Sequence, residues 1–411
     1  MTTSTLDLDH VRGQFPGLAR DWTLFDNAGG SQILKGAVER MTEFLFEKNV
    51  QIGGSYEISL AAAEALREAR RAAATLMNAR RPEEIVFGPS TTVLLQNLSR
   101  AMRRQLQPGD EVIVTVTDHE SNIGPWVSLQ EFGIVLKFWP LNHDTMSLDL
   151  ADLVPLMTDR TRLVCMTHVS NILGQVNPVA EIARFVHDHG ARICVDAVAY
   201  APHRAIDVQA WNVDYYVFSL YKTYGPHYAV MYGKFDHLLE LDTLYHYFYG
   251  KDKVPGKLEP GNPSYECAYS TLAIRDYFAG LGGAAPSTRA ALEAGFTAVS
   301  RHEDALVKRL LSYLTARNDC RVFGATVNEG SRRLPTVAFR FAGRDSGAMA
   351  KAMDAHKIAI RHGDFHSRRL VEDLGEMGEG GLLRVSMVHY NTLEEVDQLC
   401  SAFDGILRKA A

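Results

Sequence analysis

A chain of 411 residues, 46% hydrophobic and 22% charged, has ordinary globular composition and enough length for two or three domains with sizeable cores. Its net charge of −6 leaves no basic footprint for nucleic acid, and no apolar run is long enough to cross a bilayer. Five cysteines (165, 194, 267, 320 and 400) lack metal-ligand spacing, and the polar residues 1–7 lack the basic and apolar regions of a signal peptide, so a cytoplasmic, reduced protein without a metal is expected.

From residue 56 the pattern alternates between helix and strand. Residues 56–77 are Ala-rich, carry Glu64, Arg67, Glu68, Arg70 and Arg71, and read as a helix. A short strand at 84–87 leads to a helix over 91–104. β-rich runs follow at 111–116, 135–139, 163–167, 192–195 and 214–218, with a helix over 178–189 that has proline in its first turn. Continuous apolar strands separated by helices predict a mostly parallel sheet covered on both faces, with ligands gathering at the strands' carboxyl ends. The Gly-, Pro- and Tyr-rich stretch 245–269 is long for a plain connector. Near 280–286 the pattern changes. A helix over 289–316 precedes a strand at 336–341, a helix at 346–356, strands at 358–361 and 383–388, and a helix at 393–408. This predicts an α/β chain in three parts: a segment 1–20 packing on the small domain, a large domain over 21–284, and a smaller α+β domain over 285–411.

Several strand ends carry chemistry. Lys222 follows the run 214–218, and Asp196 closes 192–195. Pyridoxal phosphate needs such a pair: a lysine for the Schiff base and an aspartate that keeps the pyridine nitrogen protonated. Singly, they read equally well as a surface lysine and a helix-capping aspartate. Gly88-Pro89-Ser90-Thr91-Thr92 joins a strand to a helix, where free N–H groups and hydroxyls form an anion cradle or simply an N-cap. Ser219 can close that cradle or sit in a solvated turn. His119 follows 111–116 and can lie flat on a planar ring or face solvent. Asn171 can donate to the cofactor's phenolic oxygen or occupy the turn before Gly174. Arg384 lies inside an apolar strand, suited either to a substrate carboxylate or to an internal acid. Arg361 is a second candidate. His356, His362 and His366 do not form a metal triad.

The order of these motifs resembles the class V aminotransferase superfamily of fold-type I pyridoxal phosphate enzymes, within it the cysteine desulfurase-like and C–S lyase group. Leu24-Phe25-Asp26-Asn27-Ala28-Gly29-Gly30 is similar to the family's amino-terminal segment on the substrate side. Ser90-Thr91-Thr92 with Gln96-Asn97 resembles its phosphate turn, His119 its stacking histidine, Asn171 its "HVSN" asparagine, and Lys222-Thr223-Tyr224-Gly225-Pro226 its lysine and "YGP" tail. Glu259-Pro260-Gly261-Asn262-Pro263 resembles a loop that in relatives reaches a neighbouring subunit's phosphate. Arg384 with His389-Tyr390-Asn391-Thr392 resembles the carboxylate arginine and the helix start after it.

The resemblance implies a large PLP-binding domain and a small C-terminal domain in a homodimer. Lys222 and His119 are the implied catalytic residues. Lys222, Asp196, His119, Asn171, Ser90, Thr91, Thr92, Ser219 and Asn262 would hold pyridoxal 5'-phosphate. Arg384, Arg361, Asn27, Ala28 and Gly29 would hold an amino-acid substrate.

Three departures bear on the reaction. Desulfurases carry a mobile-loop cysteine where this chain has Arg361-His362-Gly363-Asp364-Phe365-His366-Ser367. Tyr221 replaces the histidine usual before the lysine, and Ala199 stands where relatives have Gln or His. Without a persulfide thiol, β-elimination from an S-substituted cysteine or its sulfoxide is expected, releasing a thiol or sulfenic species, pyruvate and ammonia. The alternatives are a cysteine or selenocysteine desulfurase, a decarboxylating oxidative deaminase, an aminotransferase or epimerase and, least favoured, a non-enzymatic PLP-binding regulator. The aromatic run 245–249 suits either a larger substrate or the other subunit.

Overall fold

The computed structural model describes residues 6–244, 246–283, 288–327 and 332–409. Tyr245 and the expected domain boundary at 284–285 lie outside them. A two-residue strand, β1 (Thr23–Leu24), precedes the large sheet. That sheet contains β2 (Ile85–Gly88), β3 (Glu111–Thr115), β4 (Val135–Trp139), β5 (Thr161–Thr167), β6 (Arg192–Asp196), β7 (Tyr215–Ser219) and β8 (Ala229–Gly233). Their spatial order is β2-β8-β7-β6-β5-β3-β4. β8 runs antiparallel to both neighbours, and the other six strands share one direction.

Alternation along the strands feeds two cores. Val112 and Val114 face one and Ile113 the other. The helix Glu57–Met77 covers the Ile113 face with an alanine-rich stripe, Ala62, Ala65, Ala69, Ala72 and Ala73, all buried. The helix Thr91–Met102 covers the Val112 and Val114 face through Leu94, Leu95 and Leu98. Cys165 and Cys194 are register partners on β5 and β6, both fully buried.

The smaller sheet has the order β12-β13-β10-β9, all antiparallel, with β9 (Cys320–Phe323), β10 (Thr336–Phe341), β12 (Arg361–Gly363) and β13 (Leu382–Ser386). The helices Arg289–Thr315 and Leu393–Lys409 pack over it through Leu306, Leu310, Val396 and Phe403.

Four differences from the sequence expectation matter for the site. The run 358–361 is not one strand. β11 (Ile358–Ala359) pairs in parallel with β1, whereas Arg361–Gly363 pairs antiparallel with β13. Phe25 also lies in the small domain's own core, so the residues around β1, expected in the large domain, run through the small one. The segment before residue 20 touches both bodies. Val11 and Phe15 enter the large core, while Arg12 donates to Tyr390 O at 2.7 Å and to Glu395 at 2.9 Å. Finally, the stretch 245–269 ends in a helix, Tyr265–Tyr269.

Candidate active site

Strands β2, β3, β6 and β7 point the same way, so the residues after them meet at one end of the sheet. A cavity of about 70 Å³ opens there, lined by Ser90, Thr91, Thr92, His119, Asn171, Asp196, Ser219, Tyr221 and Lys222. Ser90 N-caps the helix Thr91–Met102 by accepting from Val93 N at 3.2 Å. The N–H groups of Thr91 and Thr92 belong to the first turn and have no intrahelical acceptor. The hydroxyls of Thr91 and Ser219 hydrogen-bond each other and close one side of this anion-binding cradle.

Lys222 ends a 3₁₀ turn, Leu220–Lys222, inside the β7–β8 hairpin. The hairpin pins its backbone: Leu220 N donates to Tyr228 O at 2.8 Å, and Thr223 N and Gly225 N to Leu220 O, each at 2.8 Å. The lysine amine makes no hydrogen bond among the described residues. Desolvation, with a contribution from Arg384, pushes it down to about 8, against an opposing pull from Asp196 and Asp26. Asp196 accepts from Val198 N at 2.9 Å through Oδ1. Burial pushes its carboxyl up to about 6.

His119 accepts from Ser121 N at 3.1 Å through Nδ1, which puts its proton on Nε2. Burial, then the charges of Lys222, His366 and Arg384, push it down to about 3, so the ring is neutral. Beneath it lies Asp118, which accepts from Thr167 N at 3.0 Å, Asn122 Nδ2 at 2.8 Å and the Thr115 hydroxyl. Burial is the main reason its carboxyl rises to about 7.

The rim is assembled differently. Arg384 on β13 is 2% exposed and donates to Asp26 Oδ1 at 3.0 Å and Asn171 O at 3.3 Å. Its Nε has no hydrogen-bond partner among the described residues. Its guanidinium lies 4.0 Å from the Phe365 ring centroid. Burial holds it down to about 10, partly offset by Asp26. Arg361 reaches the other oxygen of Asp26 at 3.6 Å from a half-exposed position. A Cβ on Gly29 would lie 2.8 Å from the Asp26 carboxylate and 3.1 Å from Arg361 Nη1, so a larger residue there would have to push these two side chains aside.

The structure therefore brings Ser90, Thr91, Thr92, His119, Asn171, Asp196, Ser219 and Lys222 around one cavity, with Arg384 and Arg361 converging on Asp26 beside it. Other expected residues are placed elsewhere. Asn27 is turned into the protein: its amide donates to Leu24 O (3.0 Å), Ser386 O (2.9 Å) and Asn391 Oδ1 (3.2 Å), and its carbonyl accepts from Tyr390. It clamps the segment rather than facing the cavity. Ala28 contributes a backbone donor to Ser386 Oγ at 2.8 Å. Asn171 spends most of its amide on a loop, donating to Phe365 O at 3.0 Å and accepting from Ser367 at 2.7 Å. Asn262, at φ +68°, does not line its own chain's cavity. Asp26 and Phe365 were not singled out by sequence reasoning. Asp26 was within reach, because it sits in the same short motif as the residues chosen. No group of three or more His, Cys, Asp or Glu side chains among the described residues is arranged to hold a metal.

The sequence pattern of the aminotransferase class-V family matches residues 23–399. The chain belongs to the class V aminotransferase family. An aminotransferase-like protein of Gibberella zeae is 41% identical over 415 residues, 99% of this chain and 100% of the relative. A cysteine desulfurase-like protein of Aspergillus flavus is 34% identical, covering 99% of this chain and 92% of the relative. The apo structure of the cysteine desulfurase from Thermococcus onnurineus superposes with a TM-score of 0.87 at 26% identity, covering 100% of both chains.

This class V enzyme is of the cysteine desulfurase-like group and depends on pyridoxal 5'-phosphate. The residues present suit that group. A helix start with unused N–H donors and three hydroxyls fits a phosphate. A buried carboxylate with one oxygen uncommitted fits a pyridinium N–H. The unpaired, depressed amine of Lys222 fits an aldehyde. No helix among the described residues is long and apolar enough to cross a membrane.

Proposed function

We propose that this enzyme, acting as a cytoplasmic homodimer, catalyses β-elimination from an S-substituted cysteine or its sulfoxide, releasing a thiol or sulfenic species, pyruvate and ammonia. The observation that carries the reading is the pairing of a cation-lined rim with a cavity that no cysteine lines. Cys165 and Cys194 are buried in the sheet, and Cys267, Cys320 and Cys400 are placed elsewhere. The segment 361–367 presents His366 and no thiol.

Pyridoxal phosphate, when bound, withdraws electrons from the substrate's α-carbon. Thr91, Thr92, Ser90 and Ser219 would hold its phosphate, Asp196 its ring nitrogen and His119 one face of its ring. Arg384, with Arg361, orients the substrate α-carboxylate through charge-assisted hydrogen bonds. Lys222, with its amine near 8, takes the α-proton as general base at neutral pH. The second subunit would bring Asn262 to the phosphate. This is supported by its absence from its own chain's cavity and by exposed Phe46, Tyr247 and Phe248, 84%, 97% and 65% accessible.

A second reading, a cysteine desulfurase-like activity, is favoured by the names of the relatives and the structural neighbour. Incubating the purified yellow protein with S-methyl cysteine and with cysteine, then quantifying products, separates the two. Pyruvate with released thiol supports β-elimination, and alanine with sulfide overturns it.

A further inference from the structure

The loop between β12 and the helix Arg368–Asp373 is held in an uncommon conformation. Phe365 and His366 both have left-handed backbones, with φ of +52° and +59°. Bulky side chains rarely adopt that region, so the surrounding contacts impose it. Asn171 Nδ2 donates to Phe365 O at 3.0 Å, and Glu120 N donates to His366 O at 2.8 Å. His366 N donates to Asp364 Oδ1 at 3.0 Å, and the buried Phe365 ring is fixed under Arg384. These contacts reach the loop from the β3 end, the β5 end and β13, so its shape is set by the site it borders.

The conformation aims one side chain. The His366 imidazole stands 5.4 Å from the His119 ring, tilted by 54°. It is exposed, and its ring makes no hydrogen bond among the described residues. The other rim groups are poor proton donors. Arg361 and Arg384 do not give up protons near neutrality. His119 is neutral, with its one proton on Nε2, and Tyr221 is held above the usual phenol range by burial.

We propose that His366 is a further catalytic residue, the general acid that protonates the sulfur as it leaves the substrate's β-carbon. The inference rests on the β-elimination reading. Lys222 first takes the α-proton, leaving the electron pair of the Cα–H bond at the α-carbon, and in the following step that pair becomes the Cα=Cβ bond. The Cβ–S bond breaks with its electron pair on sulfur, and the imidazolium N–H proton of His366 passes to that sulfur. The products are a neutral thiol and a neutral imidazole, with no change in oxidation state. The competing donor is Lys222 itself, returning the proton that it has just taken.

The test uses the holoenzyme and its His366→Asn variant, asparagine being tolerant of the left-handed backbone. Pyruvate release is measured from S-methyl cysteine, whose thiolate is a poor leaving group, and from S-(4-nitrophenyl) cysteine, whose thiolate leaves without help. Deuterium uptake at the α-carbon of recovered substrate is measured alongside in heavy water. The expected result is a loss of about 10²–10³-fold with S-methyl cysteine but under about 5-fold with the nitrophenyl substrate. Deuterium uptake should be undiminished, because proton abstraction precedes the assisted step. Equal losses with both substrates, no loss with either, or a parallel fall in deuterium uptake would overturn the assignment. If the unsubstituted enzyme exchanges deuterium but forms pyruvate from neither substrate, the β-elimination reading has failed and takes this assignment with it.

Discussion

The floor of the cavity and its rim are built on opposite plans. The floor hangs on the carboxyl ends of β2, β3, β6 and β7, four co-directional strands of one sheet that are buried along nearly their whole length. The rim is a junction of segments remote in sequence: Asp26 after β1, Asn171 after β5, and Arg361, Phe365 and Arg384 from the small domain. A floor of this kind presents the same groups whatever enters it. A rim held by ion pairs and one strained loop can change its contacts with modest backbone movement. The difference separates the residues proposed to hold the cofactor, set by the sheet, from those proposed to hold the substrate, set by the junction.

That division can be broken experimentally. The largest effect is expected from Lys222→Ala, which removes the only amine among the described residues that line the cavity. Turnover should fall about 10⁴-fold or more while the thermal midpoint stays near the parent's, since the lysine makes no hydrogen bond. Steady-state kinetics with a parallel melt checks it. Next is Glu259→Gln, which breaks a pair with Arg70 (2.6 and 2.9 Å) and weakens the acceptor of Phe87 N (2.7 Å) just before the phosphate cradle. With side-chain exposures of 12% and 2%, this buried pair should cost about 3 kcal/mol on removal of one partner, read from urea unfolding.

Arg384→Met tests the rim. It should raise KM for an amino-acid substrate about 100-fold or more, and Arg384→Lys should not restore it, because a point charge cannot replace the fork. If Lys222→Ala also raised KM as much, the two halves would not be separable.

Asp118 gives a pH test of the floor in the cofactor-free protein. Its folded carboxyl is raised to about 7, so the folded state binds this proton more tightly than the unfolded chain does. The stability it contributes is full below about pH 4 and is lost as the pH rises towards 7; Asp196, raised to about 6, acts in the same sense. Asp118→Asn should therefore gain about 2–3 kcal/mol relative to the parent between pH 5 and pH 8, seen in urea midpoints at the two pH values. The smallest effect is expected from Arg369→Ala. Its pair with Glu120 is 3.3 Å long and nearly half exposed on both sides, so stability should change by less than about 0.5 kcal/mol.

The floor was legible in the sequence because each of its residues follows a local β-run or opens a helix. Asp196, His119 and Lys222 each stand within a few positions of an apolar strand, and that adjacency carries the geometry. The rim was legible only in part. Arg384 stood out as a charge inside an apolar strand, but its partner Asp26 is 358 positions away and nothing around Arg384 shows that the two pair. Asn27 was misjudged for a related reason. Its motif borders the site, but the side chain turns inward because Leu24 O, Ser386 O and Asn391 are buried acceptors that need a donor. The run 358–361 looked continuous because every residue suits a strand. The break at Ile360 comes from two different pairing partners, β1 and β13, and pairing partners are not written in a four-residue window. β8 was passed over although Ala229–Gly233 is apolar throughout, since it turns back within one hairpin instead of continuing the helix–strand alternation.

The pairing of Asp26 with Arg384 also has a meaning for biosynthesis. The two residues leave the ribosome 358 positions apart. At about 5–20 residues per second, the first waits roughly 18–70 s for the second. During most of that interval the large sheet can fold, while β1 waits for β11 and Phe25 for the core of the small domain. The groups at the floor of the cavity would thus be in place before Asp26 has its guanidinium partner.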